Sequence, residues 1–360
     1  MPRWRHAPAG YRGQQQSQAP CTGRFGGGSG SSSGASSSSS SSSSGISADE
    51  APVHFVPATA VFQENMSLEM LADVQPLDQG GFCIVCSCTY LGQRAVLKVP
   101  KPQGPDSAVA DLMVEIDIYR RISEQGGHRN IARAFGSGIH VVQGKPSPFL
   151  VLEMLEGGNL AQAIERSRTN DAGGGGDAWS DPVPRLPVAL ELADALHFLH
   201  CEAIPGGFVL HRDLKPTNIG LCGAGHVKVF DLGLSVVQES REGNINQKYQ
   251  MSGMAGSKRF MSPEVCNGLP YNEKVDVYSF AIVLWELCAL RKPFKGMSVA
   301  DHYREVITGG LRPPLDPRWP AGLRHLLEAC WHEDPDCRPS IAEVGDFLRQ
   351  LIVVEGGWSC

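Results

Sequence analysis

The spacing of hydrophobic positions changes part-way along the chain. Phe82 to Tyr90 and Ala95 to Val99 are short apolar runs joined by a turn over Leu91–Arg94, which predicts two paired strands. Val109, Leu112, Met113, Ile116 and Tyr119 then recur at helical spacing. Strand signals return at Ile139–Val142 and Phe149–Leu152, separated by a Gly/Pro turn. From Glu156 onward the pattern is helical. Val188, Leu192, Leu196 and Leu199 form one stripe, Phe280, Val283, Leu284 and Leu287 a second, and Ile341, Val344, Phe347, Leu348 and Leu351 a third. A β-rich block followed by a helical block predicts one α+β unit of two lobes, with a small-molecule site in the cleft between them.

Two segments carry no period. Residues 1–48 hold 15 Ser and four Arg but no Asp or Glu, so they cannot bury enough apolar surface to offset their ordering entropy. Residues 1–50 are expected to form a disordered Ser/Gly-rich tail. An organelle transit peptide shares that composition and stands as the alternative. The second segment, 169–180, centres on Gly173–Gly176 and reads as a flexible insert in the helical block.

With 42% hydrophobic and 19% charged residues in 360, the chain can bury a sizeable core. A net charge of −6 argues against a nucleic-acid partner. The most apolar candidate span, Ala281 to Leu290, is short and broken by Glu286, so no membrane span is expected. Eleven scattered cysteines are not a disulfide framework, which points to a reducing compartment, the cytoplasm, with the nucleus as the alternative. Cys83, Cys86 and Cys88 cluster, but no second Cys/His group completes the roughly four ligands that zinc requires, so strand packing is the expected role. A reactive thiol at Cys83 is the alternative there.

The chemistry concentrates in short strings. His211-Arg212-Asp213-Leu214-Lys215-Pro216-Thr217-Asn218 precedes a hairpin, Ile219–Cys222 with Val227–Phe230, closed by Gly223–Gly225. Asp231-Leu232-Gly233 follows directly. Two carboxylates, a Lys and an Asn on neighbouring loops suit phosphoryl transfer: oxygen ligands for Mg²⁺, a base for the attacking hydroxyl and a cation for the developing charge.

On these strings the sequence resembles the protein kinases, over roughly residues 68–352. The resemblance implies the bilobal kinase fold: a small β-rich N-lobe (about 68–152) with one regulatory helix, and a larger helical C-lobe (about 156–352). It implies ATP and Mg²⁺ as cofactors. Asp213 matches the residue that orients the acceptor hydroxyl, and Lys215 the lysine that neutralises the transferring phosphate. Asn218 and Asp231 match the metal ligands. Lys98, in Ala-Val-Leu-Lys, matches the lysine on the α- and β-phosphates, and Glu115 its ion-pair partner. Leu152 falls at the gatekeeper position. Glu153 and Leu155 would present backbone groups to adenine, with Val85 and Ala95 as its roof.

Three features depart from the family pattern. The phosphate loop keeps Gly80, with Gly81 as an extra glycine, but has Asp78 and Cys83 where two further glycines are usual. Gly220 stands where a bulky apolar residue usually lies under adenine, a packing loss of about 1–3 kcal/mol that the neighbouring Leu221 is expected to refill in part. Leu232 replaces a Phe and is expected to pack beneath the Glu115 helix. The thin loop and Gly220 leave a nucleotide-binding pseudokinase scaffold as the alternative to an enzyme.

The resemblance further implies that Glu264 pairs with Arg338, that Asp276 caps the catalytic loop, and that the Ser257 hydroxyl bonds Asp213 and Lys215. Lys215-Pro216 and Ser257 imply serine/threonine specificity. Trp285-Glu286-Leu287 and Cys330-Trp331 resemble the tyrosine-kinase-like group, and the Asn-Ile-Gly and Met-Ser-Gly-x-x-Gly-Ser strings resemble kinases of algae and protists. Arg212 is expected to receive a phosphate placed on the activation segment by an upstream kinase or by the chain itself. Ser252 is the candidate, with Ser240 and Tyr249 behind it. The partner is a protein with a Ser or Thr acceptor. Asn159 and Thr217 replace the acids of Arg-directed kinases, so no basic substrate preference is expected.

Overall fold

The structure, a computed structural model, describes residues 61–79, 82–172, 181–241, 247–251 and 256–356. The Ser-rich start, Gly173–Gly176, the loop glycines Gly80 and Gly81, and Ser252 lie outside the described residues.

Five strands form the first lobe: β1 (Leu71–Gln79), β2 (Cys83–Tyr90), β3 (Gln93–Pro100), β4 (Ala134–Val142) and β5 (Lys145–Glu153). They pair antiparallel in the order β1-β2-β3-β5-β4. The β2–β3 turn is tighter than expected. Leu91 and Gly92 alone make it, at φ of 49° and 76°, the left-handed pair whose twist suits a two-residue hairpin. β4 and β5 are also longer than their apolar runs. Pro146 and Pro148 lie within β5 instead of in the turn, where the strand has not yet reached β3, so no β3 bond is lost. The hydrophobic pattern carries no sign of β1. It is an edge strand broken in register on both sides of Gln75–Pro76, and of residues 71–78 only Leu71 is buried.

Between β3 and β4 runs α1 (Asp106–Glu124). Its buried face is Ala108, Leu112, Glu115, Ile116, Ile118, Tyr119 and Ile122, while Val109 and Met113 are exposed. The stripe is turned from the expected one because a charged residue, Glu115, belongs to it.

The second lobe contains α2 (Leu160–Ala172), α3 (Leu186–Cys201), α4 (Pro263–Cys266), α5 (Lys274–Ala289), α6 (Val299–His302), α7 (Ala321–Cys330) and α8 (Ile341–Glu355). Two small sheets lie among them: β6 (Phe208–Leu210) with β9 (Val236–Gln238), and β7 (Ile219–Leu221) with β8 (Val227–Val229). α2 continues through Thr169 to Ala172, so the first residues of the expected flexible insert are helical. Every residue of α5 is buried, so it shows no polar face. Among the described residues no helix is long and apolar enough to cross a membrane.

The two sheet faces belong to different cores. Cys88, Tyr90, Ala95, Leu97, Phe149 and Val151 close one face. Leu150 and Leu152, on the other, join Leu112, Ile116 and Tyr119 of α1 and the apolar residues of α3 and α5. That second face borders the cleft.

Candidate active site

Register decides which side chains share the cleft face. Val85 pairs with Lys98, which pairs with Leu150; Ser87 pairs with Val96, which pairs with Leu152. Opposed residues share a face, and neighbours along a strand alternate. Val85, Val96, Lys98 and Leu152 therefore line one side. Ala95 falls on the other, fully buried against Cys88 and Leu97. The expected roof residue Ala95 is thus corrected to Val96, two positions before Lys98. The same alternation separates Cys83 from Cys86 and Cys88, and among the described residues no three or more His, Cys, Asp or Glu side chains come together as a metal-holding group. Burial pushes the Cys83 thiol up despite nearby Lys98, which disfavours a reactive thiolate.

Lys98 Nζ donates to Glu115 Oε2 at 2.7 Å and to Asp231 Oδ1 at 2.6 Å. One ammonium thus ties β3 to α1 and to a loop of the second lobe. Burial works against its charge, but Glu115 and Asp231 hold the ammonium above its ordinary range. Burial would likewise raise the Asp231 carboxyl, and Lys98 holds it below the usual carboxylate range. Leu232 is fully buried beneath α1, and its N–H donates to Glu115 Oε1 at 3.3 Å.

Across the cleft, Lys215 Nζ donates to Asp213 Oδ2 at 2.6 Å and to Ser257 Oγ at 2.9 Å. Asp213 Oδ1 accepts the Ser257 backbone N–H at 2.7 Å, so Asp213 meets the Ser257 backbone and not its hydroxyl. Asn218 Nδ2 donates to the Asp213 carbonyl at 3.0 Å and to Oδ2 at 3.1 Å. The Asn218 side-chain carbonyl and Asp231 Oδ2 are the oxygen donors that such an arrangement offers a hard divalent cation.

The loop carrying Asp213 is held from below. Arg212 and Asp231 sit at φ of 65° and 66°, costing about 1–3 kcal/mol each for a non-glycine residue. Asp276, in the first turn of α5, accepts the N–H groups of His211 at 2.8 Å and Arg212 at 2.9 Å, and lies 2.9 Å from His200 Nε2. Burial would raise its carboxyl, but these bonds, His200 foremost, hold it below the usual range. Arg338 grips Glu264 with two bonds, of 2.6 and 3.0 Å, both side chains buried. Gly256, at φ 108°, lets the following segment approach: a Cβ there would collide with the Arg212 carbonyl and lie 3.3 Å from Asp213 Oδ1.

A family model for protein tyrosine and serine/threonine kinases matches residues 71–348. The chain belongs to this kinase family. Among curated relatives, a probable serine/threonine-protein kinase of Dictyostelium discoideum is 30% identical over 76% of this chain and 27% of its own length. Serine/threonine-protein kinase STY17 of Arabidopsis thaliana is 28% identical over 82% of this chain and 47% of its own. Human mitogen-activated protein kinase kinase kinase 7 is 28% identical over 82% of this chain and 44% of its own. The chain therefore spans less than half the length of each of these relatives.

In this member of the family Asp213, Lys215, Asn218, Asp231, Lys98 and Glu115 converge on one cleft. Gly80 and Gly81 lie outside the described residues. At the hinge, the Glu153 N–H donates to the Arg133 carbonyl at 2.9 Å, and its carboxylate accepts the Arg133 N–H at 2.7 Å and pairs with Lys228 at 2.9 Å. Leu155, two residues on, is half-buried and lies against Gly220. Asn159 caps α2 reciprocally with Gln162. Tyr249 pairs its backbone with Tyr271, and Ser240 is exposed. Val96 is the site residue that the motif reading misses, though counting back by twos from Lys98 finds it.

Proposed function

We propose that the chain transfers the γ-phosphoryl group of ATP to serine or threonine hydroxyls of proteins. The observation that carries this reading is Lys98, bonded at once to Glu115 and Asp231, facing the Asp213–Lys215–Ser257 cluster across one cleft. Lys98 would release Asp231 in part to hold the α- and β-phosphates. Asp231 and Asn218 would hold Mg²⁺, which when bound neutralises charge on the phosphates. Their oxygens fit a hard cation that keeps several waters.

The remaining work falls to the chain's own groups. Asp213, fixed by three donors, orients the acceptor hydroxyl and takes its proton. Lys215 sits between Asp213 and Ser257, where it meets charge developing on the transferred group. The Lys215–Ser257 bond supports a serine/threonine acceptor, and the absence of acids at Asn159 and Thr217 supports a substrate without a strict Arg requirement.

The test is transfer of labelled phosphate to a generic protein substrate by the wild type and by Asp213→Asn. The reading expects activity in the first and a loss of at least about 10²-fold in the second. Equal inertness of both would leave the chain a scaffold.

A further inference from the structure

Gly220 and Leu155 occupy one place in the cleft between them. β7 alternates, so Ile219 and Leu221 point into the second-lobe core while Gly220 lies on the opposite side. Leu221 therefore cannot refill the space that Gly220 leaves. The hinge segment does so instead. It runs antiparallel to β7, with the Gly157 N–H donating to the Leu221 carbonyl and the Leu221 N–H to the Gly158 carbonyl, both at 2.9 Å. Gly157 permits this approach, since a Cβ there would lie 2.8 Å from Leu221 Cβ. A Cβ on Gly220 would collide with Leu155 Cδ1, and would lie 3.2 Å from its Cγ and 3.3 Å from its Cβ. Gly220 is buried beneath this side chain, while Leu155 itself is only half-buried and keeps apolar surface uncovered.

We infer that the Leu155 side chain, not position 220, is the floor on which the nucleotide base stacks, opposite Val85 and Val96. The inference rests on the nucleotide-binding reading above. Residue 155 would then meet the base twice, with its backbone at the edge and its δ-methyls at the face. The backbone contact survives any side-chain change, so the face contact can be tested alone. It also follows that positions 155 and 220 are coupled: a side chain at 220 makes the one at 155 dispensable.

The experiment is a double-mutant cycle of MgADP affinity by calorimetry on the full chain, with Leu155→Ala, Gly220→Leu and the pair. With Gly220 in place, Leu155→Ala should weaken binding at least tenfold, about 1.4 kcal/mol. In the Gly220→Leu background the same change should cost no more than threefold. Leu155→Met, which can still cover Gly220, should bind within threefold of wild type and guards against a fold defect in the alanine variant. Equal losses in both backgrounds, or tighter binding by Leu155→Ala, would overturn the inference while leaving the kinase reading intact. A wild type that binds no MgADP overturns that reading and the inference with it.

Discussion

The two sides of the cleft hold their charges by different means. On the helical side the anchors are sealed: the side chains of Arg338, Glu264, His200 and Asp276 are 0%, 6%, 1% and 0% exposed. Their partners are mostly backbone groups and each other, and nothing about them needs to change during turnover. On the sheet side Lys98 is 16% exposed, and its bond crosses to the other lobe, where Asp231 is 39% exposed. A sealed anchor sets geometry. A half-open ion pair can be exchanged for a ligand. Substitutions on the helical side should therefore unfold the loop, and those on the sheet side should silence it without unfolding the chain.

The largest effect should come from Asp276→Ala, which orphans two backbone N–H groups and a histidine. We expect a loss of about 3–5 kcal/mol in urea unfolding at pH 7. The Asp276 carboxyl is depressed in the folded state, so its contribution is complete above the unfolded carboxylate range near pH ~4. It is lost only as pH falls through the lower folded value. A gap between wild type and variant that already closes well above that range would break the comparison.

Lys98→Met should show the opposite signature. Activity should fall about 10²–10³-fold, while stability changes less than in Asp276→Ala. Glu115, whose carboxyl burial already pushes up, can take a proton once its cation is gone. Unfolding as severe as that of the Asp276 variant would erase the distinction between the two sides.

Gly256→Ala sharpens the boundary between them. Its left-handed φ and the Arg212 carbonyl leave no room for a Cβ, so the segment must retreat from Asp213. A cost of about 1–3 kcal/mol and a reduced turnover number are expected, read by thermal unfolding and initial rates. Normal turnover would mean that the Ser257–Asp213 bond does not set the loop geometry.

The smallest effect tests burial without a partner bond. Glu286 in α5 is pushed up to about 7 by desolvation, against Lys292 and Arg259. Its folded value exceeds the unfolded one, so stability is greatest at low pH and falls as pH rises toward 7. Glu286→Gln should gain on the order of 1–2 kcal/mol at pH 8 and nothing near pH 4. A pH-independent difference would rule out titration of this carboxyl as its cause.

Much of this arrangement can be read along the chain, where the rule is local. The two-lobe α+β division follows from the change of period. The Asp213 loop and Asp231 stand out as strings, because their geometry is set within a few residues and needs fixed residue types. Reading fails where partners come from afar. β1 has no pattern because an edge strand with broken register buries almost nothing. Val109 and Met113 fit a helical stripe as well as Ala108 and Ile122 do, and only the position of Lys98 turns α1 to bury Glu115. Likeness to a motif puts Ala95 over the cleft, and one residue of offset is enough to move it to the other sheet face.

The amino-acid sequence alone determined the kit: which carboxylates, amines and amide the cleft gathers, in what order, and on what kind of element. Backbone periods and short loops encode these directly. Tertiary structure alone decided who fills which space: Val96 over the cleft, Leu155 over Gly220, and Asp276 and Arg338 beneath the loop. Those outcomes depend on strand register and on contacts between residues up to 76 positions apart, as in Asp276 with His200. No local pattern records them, because close packing is settled only when the whole chain is in place.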